Sequence, residues 1–230
     1  FVCNPNNPSG TTITAAEFEA FMAKVPANVV VALDEAYIEF VQPAEGDLGA
    51  AGRATGVDTP NAVDAIAEYP NVVGLRTFSK VYGLAGLRIG YCFGAAELIE
   101  SLNKVCIPFS VNALAQVAAI ESLRAVDELE ARIAGVRDQR ARVTAAINGA
   151  AGAEVVIPDS QTNFVWLPQE RLASLAGAGS LSDADVADSQ SLGQFLADKG
   201  IVVRVFRGEG VRITITDEAE ADGLLAALGL

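Results

Sequence analysis

Arg76-Thr77-Phe78-Ser79-Lys80-Val81-Tyr82-Gly83-Leu84-Ala85-Gly86-Leu87-Arg88-Ile89-Gly90 is the stretch whose reading decides the fold. An apolar run at 72–75 leads into it and a second, at 89–93, leads out. Short apolar runs broken by glycines read as strands, so the stretch is a bend between two of them. The bend carries two hydroxyls, Thr77 and Ser79, one lysine, Lys80, and one arginine, Arg88. Hydroxyls and a guanidinium can hold a phosphate. A lysine held beside them with its charge suppressed can form a Schiff base. Taken singly, Lys80 also reads as a solvated surface charge and Arg88 as half of an ordinary ion pair.

Upstream, residues 29–33 form a continuous valine-rich run, the pattern of a strand buried on both faces in a parallel sheet. Asp34-Glu35-Ala36-Tyr37 follows at its carboxyl end. Asp34 there can cap a helix, pair with a base, or hold a ligand nitrogen. Tyr37 is either core or a site hydroxyl. Thr14 and Glu17 have capping-box spacing, and Phe18, Phe21, Met22 and Val25 follow at helical period, which predicts a helix over 14–24. Asn4-Pro5-Asn6-Asn7-Pro8-Ser9-Gly10 holds two prolines and a glycine, so it is a fixed loop, with Asn7 as a turn former or a side-chain donor. Strand, helix, strand in that order argues for an α/β fold.

Downstream, a helix is predicted over 95–103, and Pro108 ends an irregular connector. An alanine-rich helical segment runs over 112–148, as one helix or as two with a break near 125–128. Residues 42–60 read as a long loop and 62–68 as a short helix. From 151 the texture changes. Short strands are predicted at 155–157 and 164–167, a helix over 192–199, a hairpin from 202–206 and 211–216 around Gly208-Glu209-Gly210, and a closing helix over 217–228 with an acidic first turn. Arg212 lies on the last strand, with Arg204 and Arg207 nearby.

Of the 230 residues 51% are hydrophobic, enough for a full core with a smaller satellite domain. A net charge of −13 argues against nucleic acid, whose phosphates need a basic surface. No apolar run reaches membrane-spanning length, so a membrane partner is not expected and the cytoplasm is. Three cysteines in apolar company, Cys3, Cys92 and Cys106, read as buried thiols in a reducing compartment. Histidine is absent, which removes Ser-His-Asp chemistry and histidine-based zinc sites; no metal is expected. Phe1-Val2-Cys3 reads as the end of a strand with no lead-in, the mark of a piece of a longer protein.

Asn7, Asp34, Tyr37, Lys80 and Arg88 stand together in an order and spacing that resembles the fold-type I aminotransferases, above all the aromatic (phenylalanine-type) and histidinol-phosphate aminotransferases. The resemblance implies an α/β fold, a mostly parallel sheet with flanking helices, plus a smaller α+β carboxyl-terminal domain. Residues 1–111 would be part of the large cofactor domain, 112–150 a connecting helix and 151–230 the small domain. It implies pyridoxal 5'-phosphate as cofactor. Lys80 would be its Schiff-base lysine and proton carrier. Asp34 would face the pyridine nitrogen, keeping it protonated. Asn7 and Tyr37 would bond the ring oxygen. Thr77, Ser79 and Arg88 would hold the phosphate. Arg212 would clamp the substrate α-carboxylate, a bidentate task suited to arginine. The partners implied are an amino acid, a 2-oxo acid and a second copy of the chain. The wording around Lys80 and Arg212 resembles the aromatic branch, with histidinol phosphate as the alternative substrate and a threonine-phosphate decarboxylase further off. The family carries a long segment before the position of Phe1, so the resemblance implies a chain lacking its amino-terminal third. A catalytically inert truncated chain is the alternative of another class.

Overall fold

The computed structural model describes residues 1–43, 56–152 and 156–230. It divides into two compact units. The first comprises Phe1–Asn6 and Thr12–Ile133, the second Asn7–Thr11 and Ala134–Leu230. The predicted loop over 42–60 lies mostly, and Val155 wholly, outside the described residues.

The first unit is built on a four-stranded sheet in the order β1 (Val2–Cys3), β2 (Val31–Asp34), β3 (Val72–Thr77), β4 (Gly90–Gly94). The first three strands run parallel and β4 is antiparallel to β3. Helix α1 (Ala15–Met22) starts at Thr14, and the capping box is complete: Glu17 N–H donates to the Thr14 hydroxyl, and Thr14 N–H donates to the Glu17 carboxylate at 2.8 Å. Phe18 and Met22 of that helix bury against Leu33, Val31, Val72, Ala62 and Ala65. Helix α2 (Ala62–Glu68) has the predicted bounds, with Asn61 as its cap. Helix α3 (Ala96–Asn103) follows β4.

The alanine-rich segment is two helices, α4 (Ala113–Arg124) and α5 (Val126–Ala150), parted at Ala125. The division between the two units falls inside α5.

Three expectations are corrected. Strand β2 begins at Val31, and Val29 and Val30 are exposed, because its partner β3 offers no earlier residue than Val72 for Val31 to pair with. Cys3 and Cys106 are exposed and Cys92 half-buried: apolar neighbours in sequence do not guarantee cover in space. Val156 and Ile157 are buried but form no strand. Their N–H groups donate to the Asn148 side chain at 2.9 and 2.8 Å, which takes the place of a ladder.

The second unit holds a three-stranded antiparallel sheet in the order β5 (Phe164–Pro168), β7 (Gly210–Thr214), β6 (Arg204–Phe206). The predicted β6–β7 hairpin is present. Helices α6 (Ser189–Asp198) and α7 (Glu218–Leu228) start at Asp188 and Asp217, whose carboxylates accept from Ser191 and Glu220 N–H. Val143 and Ile147 of α5, Val165 and Leu167 of β5, Leu192 and Leu196 of α6, Val211 and Ile213 of β7 and Leu224 and Leu228 of α7 form one apolar core. Each such side chain contributes about 2 kcal/mol by leaving water.

Candidate active site

In a parallel sheet all carboxyl ends lie along one edge, and ligands bind outside that edge. In the first unit that edge carries Cys3, Asp34 and Thr77. The register places Cys3 beside Asp34, and Asp34 beside Leu75. Asp34 is half-buried and accepts from Ala36 N–H at 3.0 Å, so its carboxylate is oriented by the turn that follows β2. That turn delivers Tyr37, which is buried. The bend between β3 and β4 follows the same edge. Phe78 N–H donates to Ile89 O at 3.2 Å and Leu84 N–H to Phe78 O at 2.9 Å, which close it into a loop. Phe78, Val81 and Tyr82 are buried and anchor it, with the Phe78 and Tyr82 rings 4.8 Å apart. Arg132 N–H donates to Val81 O at 2.9 Å.

Glycine is needed twice in this loop. At Gly83 φ is +72°, and at Gly90 a Cβ would lie 2.8 Å from Arg76 O. Lys80, Thr77, Ser79 and Arg88 are the polar residues this stretch was read for. Lys80 is half-buried with Nζ 5.0 Å from the centre of the Tyr37 ring, a cation–π distance. Thr77 Oγ1 accepts from Ser79 N–H at 3.0 Å. Arg88 has a left-handed backbone, φ +57°, is exposed, and donates to Ala85 O at 2.8 Å. That bond uses one of the five N–H donors of a guanidinium.

Arg212 and Asn7 belong to the second unit. Arg212 sits on β7, the central strand, opposite Trp166 on one side and Arg204 on the other. Its guanidinium stacks over the Phe164 ring at 5.1 Å and donates through Nη1 to Asn7 Oδ1 at 2.8 Å. Its Nε is buried without a hydrogen-bond partner among the described residues. A buried donor of this kind calls for an acceptor, and an anion is a fitting one. Arg204 and Arg207 are exposed. The structure thus brings Lys80 to Tyr37 and Arg212 to Asn7.

The structure also reveals a cluster that reading the sequence did not single out. Glu35 and Arg76 are both buried and paired: Arg76 Nε donates to Glu35 Oε2 at 2.8 Å, and Nη2 lies 2.8 Å from the same oxygen. Glu35 Oε1 accepts from Ala62 N–H at 2.6 Å, at the start of α2, and Arg76 Nη2 donates to Asn61 Oδ1 at 3.4 Å. Phe93 lies 5.2 Å from the guanidinium. Burial raises the Glu35 pKa, against the pull of Arg76. Glu39, also buried, is pushed up to about 7 by loss of solvent, with the Arg76 charge lowering it and Glu35 raising it. The signal in the sequence was one charge of each sign at the carboxyl end of two buried strands, a placement that demands a partner.

The family is shown by comparison. A family model described as aminotransferase class I and II matches residues 1–228, and the chain belongs to that family. Among similar proteins are the aromatic amino acid aminotransferases of Corynebacterium efficiens, 50% identical over 227 residues, and of Streptomyces coelicolor, 43% identical over 224. These matches take in 99% and 97% of the chain but 55% and 53% of the relatives, so the chain spans about half their length. Among solved structures, histidinol-phosphate aminotransferase from Sinorhizobium meliloti in complex with pyridoxal-5'-phosphate aligns with a TM-score of 0.73 at 28% identity. That match covers 99% of this chain and 55% of the other. The histidinol-phosphate aminotransferase of Clostridium acetobutylicum aligns at 0.76 and 22% identity over 99% and 62%, a likeness of fold.

Proposed function

We propose that this chain is the carboxyl-terminal part of a pyridoxal phosphate-dependent aminotransferase that acts on an aromatic amino acid and a 2-oxo acid. The observation that carries the reading is Lys80 Nζ at 5.0 Å from the Tyr37 ring, beyond the edge of parallel strands where Asp34 also stands. The donor set suits the cofactor. Thr77, Ser79 and Arg88 offer hydroxyl and guanidinium donors for a phosphate. Asp34 is the acid for a ring nitrogen, and the Tyr37 and Asn7 side chains suit its ring oxygen. Arg212, with its unanswered Nε, suits the substrate carboxylate. When bound, the cofactor supplies an electron sink for the negative charge left on the α-carbon. Lys80 would carry the proton to and from that carbon. In domain terms, the proposal is a cofactor domain over 1–111, a connector over 112–150 and a small domain over 151–230, a division that differs from the two compact units at Asn7–Thr11 and at Ile133.

The aromatic branch is favoured by relatives at 43–50% identity. The likeness to a histidinol-phosphate aminotransferase keeps imidazole-acetol phosphate as the second substrate to test. Homodimerisation is supported by exposed apolar side chains along α4 and the segment before it, among them Ile107, Phe109, Leu114 and Val117. No helix among the described residues is long and apolar enough to cross a membrane, which agrees with work in the cytoplasm.

Absorption spectroscopy tests the reading. Protein mixed with pyridoxal phosphate should show a visible band that Lys80→Ala removes, together with a loss of turnover of about 10⁴-fold at the upper end of proton-transfer effects. Phenylpyruvate should be the better substrate. A band that survives Lys80→Ala, or its absence from the wild type, would favour the inert chain.

A further inference from the structure

Alternation along a strand puts successive side chains on opposite faces. Asp34 and Leu75 are the last register partners of the parallel pair; Glu35, one residue past the end of β2, donates its N–H to Leu75 O at 2.9 Å, and its carboxylate accepts from Arg76 Nε. Across the antiparallel pair, Arg76 stands opposite Tyr91, and the guanidinium acts on its hydroxyl. Glu35, Arg76 and Tyr91 therefore form one linked row at this end of the sheet. Asp34 directly precedes Glu35, and Thr77 follows Arg76 on β3 with its side chain on the opposite face. The carboxylate of this row also holds the first amide of α2. The row thus joins the end of β2, the start of α2, the end of β3 and the start of β4.

From this we infer that Glu35 and Arg76 are positioning residues: their buried ion pair fixes the spacing between the turn carrying Asp34 and Tyr37 and the loop carrying Ser79 and Lys80. The pair touches neither cofactor nor substrate in this account, and its effect passes through the backbone of Asp34 and of Thr77. The inference rests on the function proposed above only for its kinetic consequence. Its structural core, that the Lys80 loop depends on the pair, stands without it. Hydrophobic replacement of a buried pair can preserve stability, whereas removing one partner strands the other charge. That asymmetry separates positioning from mere stabilisation.

The experiment compares wild type with Arg76→Met, which strands Glu35, and with Glu35→Gln/Arg76→Met, which removes both charges while leaving an acceptor for Ala62 N–H. Without cofactor, the amides of Phe78 and Leu84 should exchange at least tenfold faster in both variants at equal global stability, the wild type being brought to match with urea where needed. With cofactor, kcat should fall about 100-fold in both, the scale of a 1 Å misplacement. KM for the amino donor should move less than threefold. The pH midpoint of the Lys80-dependent band should shift. Wild-type exchange at Phe78 and Leu84 in the double variant overturns the inference. So does full kcat in the double variant when it regains thermal stability. A wild type without a Lys80-dependent band overturns the function instead, and the exchange rates still decide the inference.

Discussion

The two units keep order by different means. The second unit packs nineteen buried apolar residues into one cluster. Among the described residues the first unit has an apolar cluster under α1 and α2, further buried apolar side chains such as Phe40, Phe78, Val81 and Tyr82, and a buried charged group, Glu35, Arg76 and Glu39, near the site edge. Apolar packing is non-directional and tolerates swaps of similar volume. A buried carboxylate–guanidinium contact is directional and fails sharply when one member goes. The region with the candidate lysine therefore adds contacts that fix direction to apolar anchors such as Phe78, Val81 and Tyr82, while the cluster of the second unit is apolar throughout.

That contrast can be broken at three depths. The largest effect is expected from Leu196→Ala, at a fully buried position in the second unit. It should cost about 4 kcal/mol in denaturant unfolding, as a cavity in close-packed surroundings does, at any pH. The Lys80-dependent band should keep its pH midpoint. A shifted midpoint would mean that this core also tunes the site.

A smaller and pH-dependent effect belongs to Glu39. Its folded carboxyl, at about 7, holds a proton more tightly than an unfolded glutamate does. The native protein therefore carries the extra proton between about pH 4.5 and 7, and stability falls as pH rises through that window, by about 3 kcal/mol at most. Glu39→Gln should flatten that fall when thermal midpoints are followed from pH 4.5 to 8. An unchanged slope would assign the pH dependence elsewhere. The capping acid of α6 acts with the opposite sign. Asp188 is held low by the Ser191 N–H, so its contribution is present above its unfolded pKa and is lost as acid protonates it.

The smallest effect tests helix starts in both units. Thr14→Ala and Asp188→Ala each remove a side-chain acceptor from a helix N-terminus and should cost about 1 kcal/mol. Additive losses in the pair would show that the caps act independently.

Much of this was legible without coordinates where the cause is local. The Thr14–Glu17 box is a contact over three residues, and it formed. Helix α2 took its predicted bounds because Asn61 caps it from one residue before its start. The β6–β7 hairpin followed from its glycines. Strand ends were less legible: β2 starts late because pairing, not the valine run, sets its first residue. The thiols were misread for the same reason, since cover comes from elements distant in sequence. For the candidate site, the placement of Asp34 at the end of β2 and of Lys80 just beyond β3 was legible from the apolar runs before them. The pairing of Arg212 with Asn7 spans 205 positions and that of Arg76 with Glu35 spans 41, and no spacing rule reaches so far.

By itself the amino-acid order determined which segments are strands or helices, where several of them are capped, and which charged residues stand beyond buried runs. Short-range sterics and hydrogen bonding act within a few residues, so a linear reading captures them. Only the folded molecule decided which charges meet: that Arg76 turns to Glu35 and Arg212 to Asn7, leaving Lys80 over the face of a tyrosine. The Arg76–Glu35 choice follows from desolvation, which is costly enough that a buried charge takes a partner that the packed neighbours supply.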